Sequence, residues 1–224
     1  MFERGLLHTF YGMDKTNDKP VPPTNPERRY SAASERNRAP ILAVLKRVLS
    51  GTGLMLEIGA GSGQHAAYFA PHFPEMQWQP TEPDPEGRAS IEAWAAETGA
   101  PNMLQSMDLD VTQTSWPVDR ADAMFSANMI HIAPWPCCLG LMAGAGRVLS
   151  DGGVLCLYGP FMVGGKHTAP SNAEFDQSLK SQDPAWGIRD LDEVTATAEK
   201  EGLRRTEIVD MPANNMMLVF HRRP

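Results

Sequence analysis

Leu54-Met-Leu-Glu-Ile-Gly-Ala-Gly-Ser-Gly-Gln-His65 is the stretch that decides the fold of this chain. An apolar run carrying Glu57 leads into three glycines at alternate positions, Gly59, Gly61 and Gly63, and a helix-compatible segment follows from Gln64 to Ala70. Read physically, this is a buried strand, a tight turn free of side chains, and a helix whose first N–H groups face a ligand. The pattern G-x-G-x-G alone is common by chance. The strand pattern before it and the helix pattern after it give it weight.

The chain has 224 residues, one domain's length, enough for a large core without disulfides or a structural metal. It is 42% hydrophobic and 21% charged, with a formal net charge of -7, which speaks against nucleic acid or an anionic membrane as partner. The two short basic clusters, Arg28-Arg29 with Arg36 and Arg38, and Arg222-Arg223, read as solvated surface. Three cysteines, Cys137, Cys138 and Cys156, are too few for a disulfide scaffold and badly spaced for zinc, so no metal is expected. They point to a reducing compartment. With no signal-like or membrane-length apolar run, the expected location is the cytoplasm.

Outward from the glycines, the chain alternates strand and helix. Residues 1–33 carry Pro20, Pro22, Pro23 and Pro26 and read as an arm that is either loose or folded across a site, with a short element around Leu6–Tyr11. Residues 34–224 form the domain. A helix is expected from Glu35 to Ser50, with Pro40 in its first turn. Met76–Glu82 reads as a second strand, Pro85–Thr98 as a helix, and Asn102–Ser106 as a weak third strand. Ala121–Ala127 is a central strand, Pro136–Leu149 a helix ended by Asp151-Gly152-Gly153, and Val154–Tyr158 an apolar strand. A polar insertion from Gly159 to Gly187 holds a short helix that begins near Ser171 and runs through Lys180; it has the length of a lid or binding loop. Asp190 to Glu193 caps a helix reaching Glu201, and Leu203–Val209 and Met216–Phe220 read as an antiparallel pair. Strand and helix in alternation mean a mostly parallel sheet covered on both faces.

Several ligands use a strand, a glycine turn and a helix. A P-loop is excluded, because no Gly-Lys-Ser/Thr follows the glycines. A pyrophosphate is disfavoured by Glu57, which instead would fix the loop or meet a cationic ligand. The second strand ends in Glu82, at the spacing where an acid grips a ribose diol through two accepted hydrogen bonds. Asp108 and Asp110 follow the third strand, where an acid accepts from an adenine amine.

Alternate glycines, acids at successive strand ends and an antiparallel closing pair resemble the class I S-adenosylmethionine-dependent methyltransferases. Further motifs resemble one small group of these, the domain of unknown function 938 family (the methyltransferase-like protein 26 group). They are Glu35-Arg-Asn-Arg38 before Pro40-Ile-Leu, Leu56 to His65, Trp78-Gln-Pro80, Ala127-Asn-Met-Ile-His-Ile132, and Leu157-Tyr-Gly-Pro-Phe161. They continue through Ser171-Asn172, Phe175-Asp176, Ser178-Leu-Lys180, Gly187-Ile-Arg-Asp190 and Met211-Pro-Ala-Asn-Asn215. Thr81-Glu82 departs from the Ser-Asp expected there, with the carboxylate kept. The resemblance implies a Rossmann-like α/β fold with a seven-stranded sheet in the order 3-2-1-4-5-7-6, the last strand reversed. It implies S-adenosyl-L-methionine as cofactor and S-adenosyl-L-homocysteine as product. It places cofactor contacts on Glu57, Gly59, Ala60, Gly61, Gly63, His65, Glu82, Asp108, Leu109 and Asn128. Substrate contacts fall on Tyr30, Asn37, Arg38, Tyr158, Asn172, Asp176, Asn214 and Asn215.

Ligands of an open parallel sheet lie beyond the C-terminal strand ends, which makes Asn128, His131 and Tyr158 the catalytic candidates. His131 is the residue type to take a proton from an acceptor hydroxyl or amine, or else a satisfied structural histidine. Methyl transfer from a sulfonium is an in-line displacement that depends on alignment and on exclusion of water. The expected function is therefore methyl transfer to a small polar metabolite, with nitrogen, oxygen and sulfur all open as the accepting atom, by a monomer or homodimer. A methyltransferase of nucleic acid or protein is the nearest alternative, though no Asn-Pro-Pro-Tyr type motif stands at Asn128. A non-catalytic, cofactor-binding interaction protein is another.

Overall fold

The structure, a computed structural model, describes residues 28–224; the element expected around Leu6–Tyr11 and the prolines from Pro20 to Pro26 lie outside the described residues. In chain order the first half comprises α1 (Ala32–Val48), β1 (Gly53–Ile58), α2 (Gln64–Phe69), β2 (Met76–Thr81), α3 (Pro85–Thr98), β3 (Ala121–Ala127) and α4 (Trp135–Val148). The second half comprises β4 (Leu149–Gly159), β5 (Phe161–Val163), β6 (Lys166–His167), α5 (Pro170–Gln182), β7 (Arg189–Asp190), α6 (Leu191–Lys200), β8 (Leu203–Met211) and β9 (Asn215–Arg222).

The main sheet has six strands in the order β2-β1-β3-β4-β9-β8. β1 to β4 run parallel, and β9 is antiparallel to both β4 and β8. Side chains alternate between two apolar layers, as a sheet buried on both faces requires. Met55, Phe125 and Cys156 pack with Ile41, Phe69 and Ile91 on one side. Leu56, Met124 and Leu155 pack with Leu141, Val194 and Phe220 on the other.

The expected third strand is not formed. Met103 and Met107 make only isolated parallel bridges to Trp78 and Thr81. The reason lies at Pro80, which has no N–H to donate to a ladder. The Gln79 side chain donates to Gln105 O at 2.6 Å instead, and Ser106 N–H turns to the Glu92 carboxylate at 2.7 Å. Side chains thereby replace the middle of the ladder.

Other boundaries shift for local reasons. Ser31 caps α1 by accepting from Ser34 N–H, so the helix starts at Ala32 and the boundary expected at residue 33 falls inside it. Pro40 thus lies in the helix interior, where it forfeits a hydrogen bond; burial of Ile41, Leu42, Val44 and Leu45 offsets this. The Asp151–Gly153 turn is absorbed into the early part of β4, where the register with β3 shifts. The helix expected to begin near Ser171 is α5, which starts at Pro170 with Ala169 at its cap position. Asp190 does cap α6, accepting from Asp192 N–H. The β8–β9 hairpin turns through Ala213 and Asn214, both at φ 57, as the central residues of a type I′ turn require. The insertion's β5 and β6 form a small sheet with β7, which follows just after it, in the order β6-β5-β7, and α5 lies beside β6. No helix among the described residues is long and apolar enough to cross a membrane.

Glu57 belongs to this framework. It is buried on β1 and accepts from the Trp78 indole N–H of β2 at 2.6 Å. Burial pushes its carboxyl up to about 8, against the pull of the indole bond. The folded protein holds that proton up to about pH 8, whereas an unfolded glutamate releases it near 4.5. Folding therefore takes up a proton, and stability falls as pH rises between those values. Glu57→Gln keeps an acceptor for Trp78 and removes the ionisation. Denaturant titrations should show it more stable than the parent at pH 8, by on the order of a few kcal/mol, with the advantage gone at pH 4.5. Equal stability at both pH values would defeat this account.

Candidate functional site

Parallel strands bring their C-terminal ends to one edge, and there the chain encloses a cavity of about 430 Å³. Gly59, Ala60, Gly61 and Ser62 of the glycine turn form one wall, beside Glu82, Pro83 and Asp84 after β2. Leu109, Asp110 and Val111 form the next, beside Asn128, Met129, Ile132 and Ala133 after β3 and Cys137 of α4. The remaining side comes from Arg29, Tyr30, Ser31, Ala33, Ser34 and Asn37, with His65 of α2. The volume lies low in the roughly 300–1,000 Å³ range of small-molecule sites.

Glu82 is the best-defined polar group. It is 8% exposed, and each of its oxygens accepts one backbone N–H: Oε2 from Gly61 at 2.9 Å and Oε1 from Asp84 at 3.1 Å. Burial raises its pKa, while the two N–H groups and Arg29 pull it down. Asp84 caps α3 through Glu86 and Gly87 N–H, and burial's upward push on its pKa is outweighed by Arg29 and these bonds. Asp110 is likewise held low against burial, by the Thr112 hydroxyl and N–H. Among the described residues, three carboxylates and one arginine, itself paired to Asp84, give the walls an acidic balance.

Residues 29–31 lie across α3. Arg29 Nη1 donates to Asp84 at 2.9 Å and Nη2 to Glu86 at 2.5 Å. Its backbone N–H donates to Ser90 Oγ at 2.8 Å, and its carbonyl accepts from Trp94 Nε1 at 2.9 Å. Ser90 Oγ in turn donates to Ser62 O at 2.7 Å, so strap, helix and glycine turn share one hydroxyl.

Of the residues singled out in the sequence, Gly59, Ala60, Gly61, His65, Glu82, Leu109, Asn128, Tyr30 and Asn37 line the cavity. The others lie elsewhere. Glu57 serves the sheet, as described. Gly63, at φ +88, lets α2 meet α3, where a Cβ would fall 2.7 Å from Ile91 Cα. Asp108 is exposed near Arg88, whereas its neighbour Asp110 faces the cavity. Arg38 pairs with Glu35 and covers the Tyr68 ring at 4.4 Å, on the outer surface. Asn172 holds Thr168 and the Asn214 carbonyl, Asn214 bonds Ser171, and Asn215 bonds Pro212 and Ala213. Asn172 and Asn214 thereby fasten α5 to the hairpin turn, and Asn215 braces the turn itself. Asp176 accepts from Ile188 N–H at 2.8 Å and Lys180 at 2.5 Å, which together with His167 outweigh burial and keep it ionised.

His131 and Tyr158 also stand outside the lining. His131 has no exposed surface; its Nδ1 accepts from Arg189 N–H at 3.3 Å and its ring meets Phe161 edge-on. Burial, with Arg189 nearby, pushes its pKa down to about 3. Tyr158 is 4% exposed and its hydroxyl meets the Asn37 side chain. The lining residues Ser31 and Met129 carried no sequence signal beyond standing near a motif, and Arg29, read from the sequence as solvated surface, is instead paired to Asp84 and Glu86 at the cavity wall. Among the described residues no group of acids, histidines and cysteines is placed to hold a metal.

The family described as "Protein of unknown function (DUF938)" matches residues 28–222. The chain belongs to the DUF938 family. Solved structures resemble this DUF938 chain in fold. An O-methyltransferase family protein from Burkholderia thailandensis is 14% identical, with a TM-score of 0.74 over 85% of this chain and 57% of that one. The mitomycin 7-O-methyltransferase MmcR is 18% identical, with a TM-score of 0.73 over 86% and 55%. CalO1, a methyltransferase in calicheamicin biosynthesis in its SAH-bound form, is 17% identical, with a TM-score of 0.64 over 84% and 54%. The DUF938 chain thus has a Rossmann-like α/β methyltransferase fold. It spans about half the length of the solved structures it matches.

Removing the Arg29 side chain should loosen the strap without unfolding the sheet. In Arg29→Ala, amide exchange across residues 29–34 is expected to speed several-fold, a loss of about 1 kcal/mol of local stability. Exchange in β1 and β3 should stay unchanged. An unaltered strap would mean that its bonds to Ser90, Trp94 and Gln64 suffice without the Arg29 side chain.

Proposed function

We propose that this protein is a methyltransferase that binds S-adenosyl-L-methionine in the cavity, releases S-adenosyl-L-homocysteine, and methylates a small polar metabolite. The observation that carries this reading is Glu82, a buried carboxylate at the end of β2 with one backbone N–H on each oxygen. Each oxygen keeps a lone pair for one hydroxyl of a ribose diol. The rest of the wall fits the same ligand. Leu109, Val111, Ile132 and Ala133 offer apolar surface for an adenine, with Asp110 to accept from its amine. The acidic balance suits a ligand carrying a sulfonium and an ammonium, and the backbone of Gly59 to Ser62 leaves room for its amino-acid end.

The cofactor supplies a methyl group already activated on sulfur. What the chain contributes is alignment and dryness: the glycine turn and Asn128 hold one partner, and the strap residues Tyr30, Ser31 and Asn37 close over the other. Likeness in fold to two O-methyltransferases and to a methyltransferase in its SAH-bound form supports the cofactor. A cavity of this size and net acidity favours a small molecule over nucleic acid or protein. Three free cysteines fit a cytoplasmic protein. We read the segment bridged through Met103 and Met107 as the counterpart of the third strand in the order 3-2-1-4-5-7-6, a reading supported by its two parallel bridges to β2. We assign the protein to a monomer or homodimer.

Calorimetric titration with S-adenosylmethionine and with S-adenosylhomocysteine tests the reading. Both are expected to bind, and Glu82→Ala should weaken each at least about tenfold by removing the diol's partner and freeing two N–H groups. An unchanged affinity in that variant would remove Glu82 from the site. No binding by the parent protein would sink the proposal.

A further inference from the structure

Asn37, His65 and Tyr158 come from α1, α2 and β4 and meet at the cavity. Asn37 and His65 line it, and Tyr158 stands behind them. The Asn37 Oδ1 accepts from His65 Nε2 at 2.8 Å, and the Asn37 side chain also reaches the Tyr158 hydroxyl. The His65 ring is fixed by stacking on Phe69, with centroids 5.2 Å apart at 12°, and by an edge contact with Phe125 at 5.9 Å.

We propose that Asn37 contacts the methyl acceptor and that His65 is the positioning residue that fixes the Asn37 amide, so that the cavity is offered an N–H donor. This deepens the methyltransferase reading and rests on it. The argument is one of hydrogen-bond capacity. Burial, together with the charge of Arg38, pushes His65 down to about 4, so its ring is neutral near pH 7 and carries a single N–H. That N–H is spent on Asn37 Oδ1. The amide oxygen is then occupied, and the Asn37 nitrogen has two N–H groups, one for the Tyr158 hydroxyl and one for a ligand. The group read by Asn37 is therefore a lone pair: a carbonyl, ether or ring nitrogen beside the atom to be methylated. The charged and titratable groups around the cluster are Arg36 and Arg38 of α1 and Tyr158 of β4.

Two measurements test this. Nitrogen NMR of the parent protein should show His65 as the Nε2–H tautomer titrating near 4, and Asn37→Asp should raise that midpoint by more than about one unit through ion pairing. A neutral His65 ring that carries its proton on Nδ1, leaving Nε2 without an N–H for Asn37 Oδ1, overturns the proposal whatever the enzyme does. The second measurement follows methyl-tritiated S-adenosylmethionine into a deproteinised small-molecule extract at graded dilution. Asn37→Ala and His65→Leu should raise the apparent KM for the extract at least about tenfold, with the Kd for S-adenosylmethionine within about threefold of the parent. His65→Gln, which keeps an N–H donor, should recover part of the loss. An unchanged KM in Asn37→Ala, or an equal loss of cofactor affinity, overturns it. A parent protein that binds no S-adenosylmethionine defeats the underlying reading instead, and the tautomer result then decides the Asn37–His65 geometry alone.

Discussion

One buried carboxylate holds the loops of the cavity together. Glu82 gives one oxygen to the Gly61 N–H and the other to the Asp84 N–H, and so ties the turn after β1 to the turn after β2. Losing it strands two backbone donors in a mostly buried site, each at a cost of about 1–3 kcal/mol. More than the two turns depends on it. Asp84 caps α3 and holds Arg29, and Arg29 lays Tyr30 and Ser31 along the cavity. α3 can come this close because Gly87 has no side chain; a Cβ there would fall 2.7 Å from Glu82 Cγ.

The sequence was most legible where one physical cause dominated. β1, β3 and β4 are apolar on both faces because they are covered on both faces, and the glycines mark the one turn that must stay bare. The start of α6 followed from its capping residue Asp190, which accepts an N–H group that the helix leaves unpaired. Legibility failed where a distant partner decided the outcome. Nothing near Asn102–Ser106 announces that Pro80 will break its ladder and that Gln79 and Glu92 will supply the missing bonds.

The candidate site divides the same way. Gly59, Gly61, Glu82 and Asn128 sit at the tips of parallel strands, and topology alone sends those tips to one edge. His131 stands only a few residues past the same kind of tip, yet Arg189, far along the chain, folds back over it. Arg189 donates to the Ile130 carbonyl at 2.9 Å and the Ala133 carbonyl at 2.7 Å, and its N–H meets the imidazole. Sequence proximity to a motif showed where His131 starts and not what covers it.

The insertion from Gly159 to Gly187 therefore acts differently from the lid its length implied. None of its residues lines the cavity; it builds β5, β6 and α5 into a second layer and buries His131 beneath Phe161. The side of the cavity opposite the strand ends comes from residues 29–37, which are anchored by charge, by one shared serine and by the Trp94 indole. The imidazole that faces the cavity is accordingly the one beside the glycine turn. His65 belongs to the stretch that fixed the fold, and its bond to Asn37 joins that stretch to the covering segment. The motif that builds the sheet's edge thus also holds a side chain of the covering segment in place at the cavity wall.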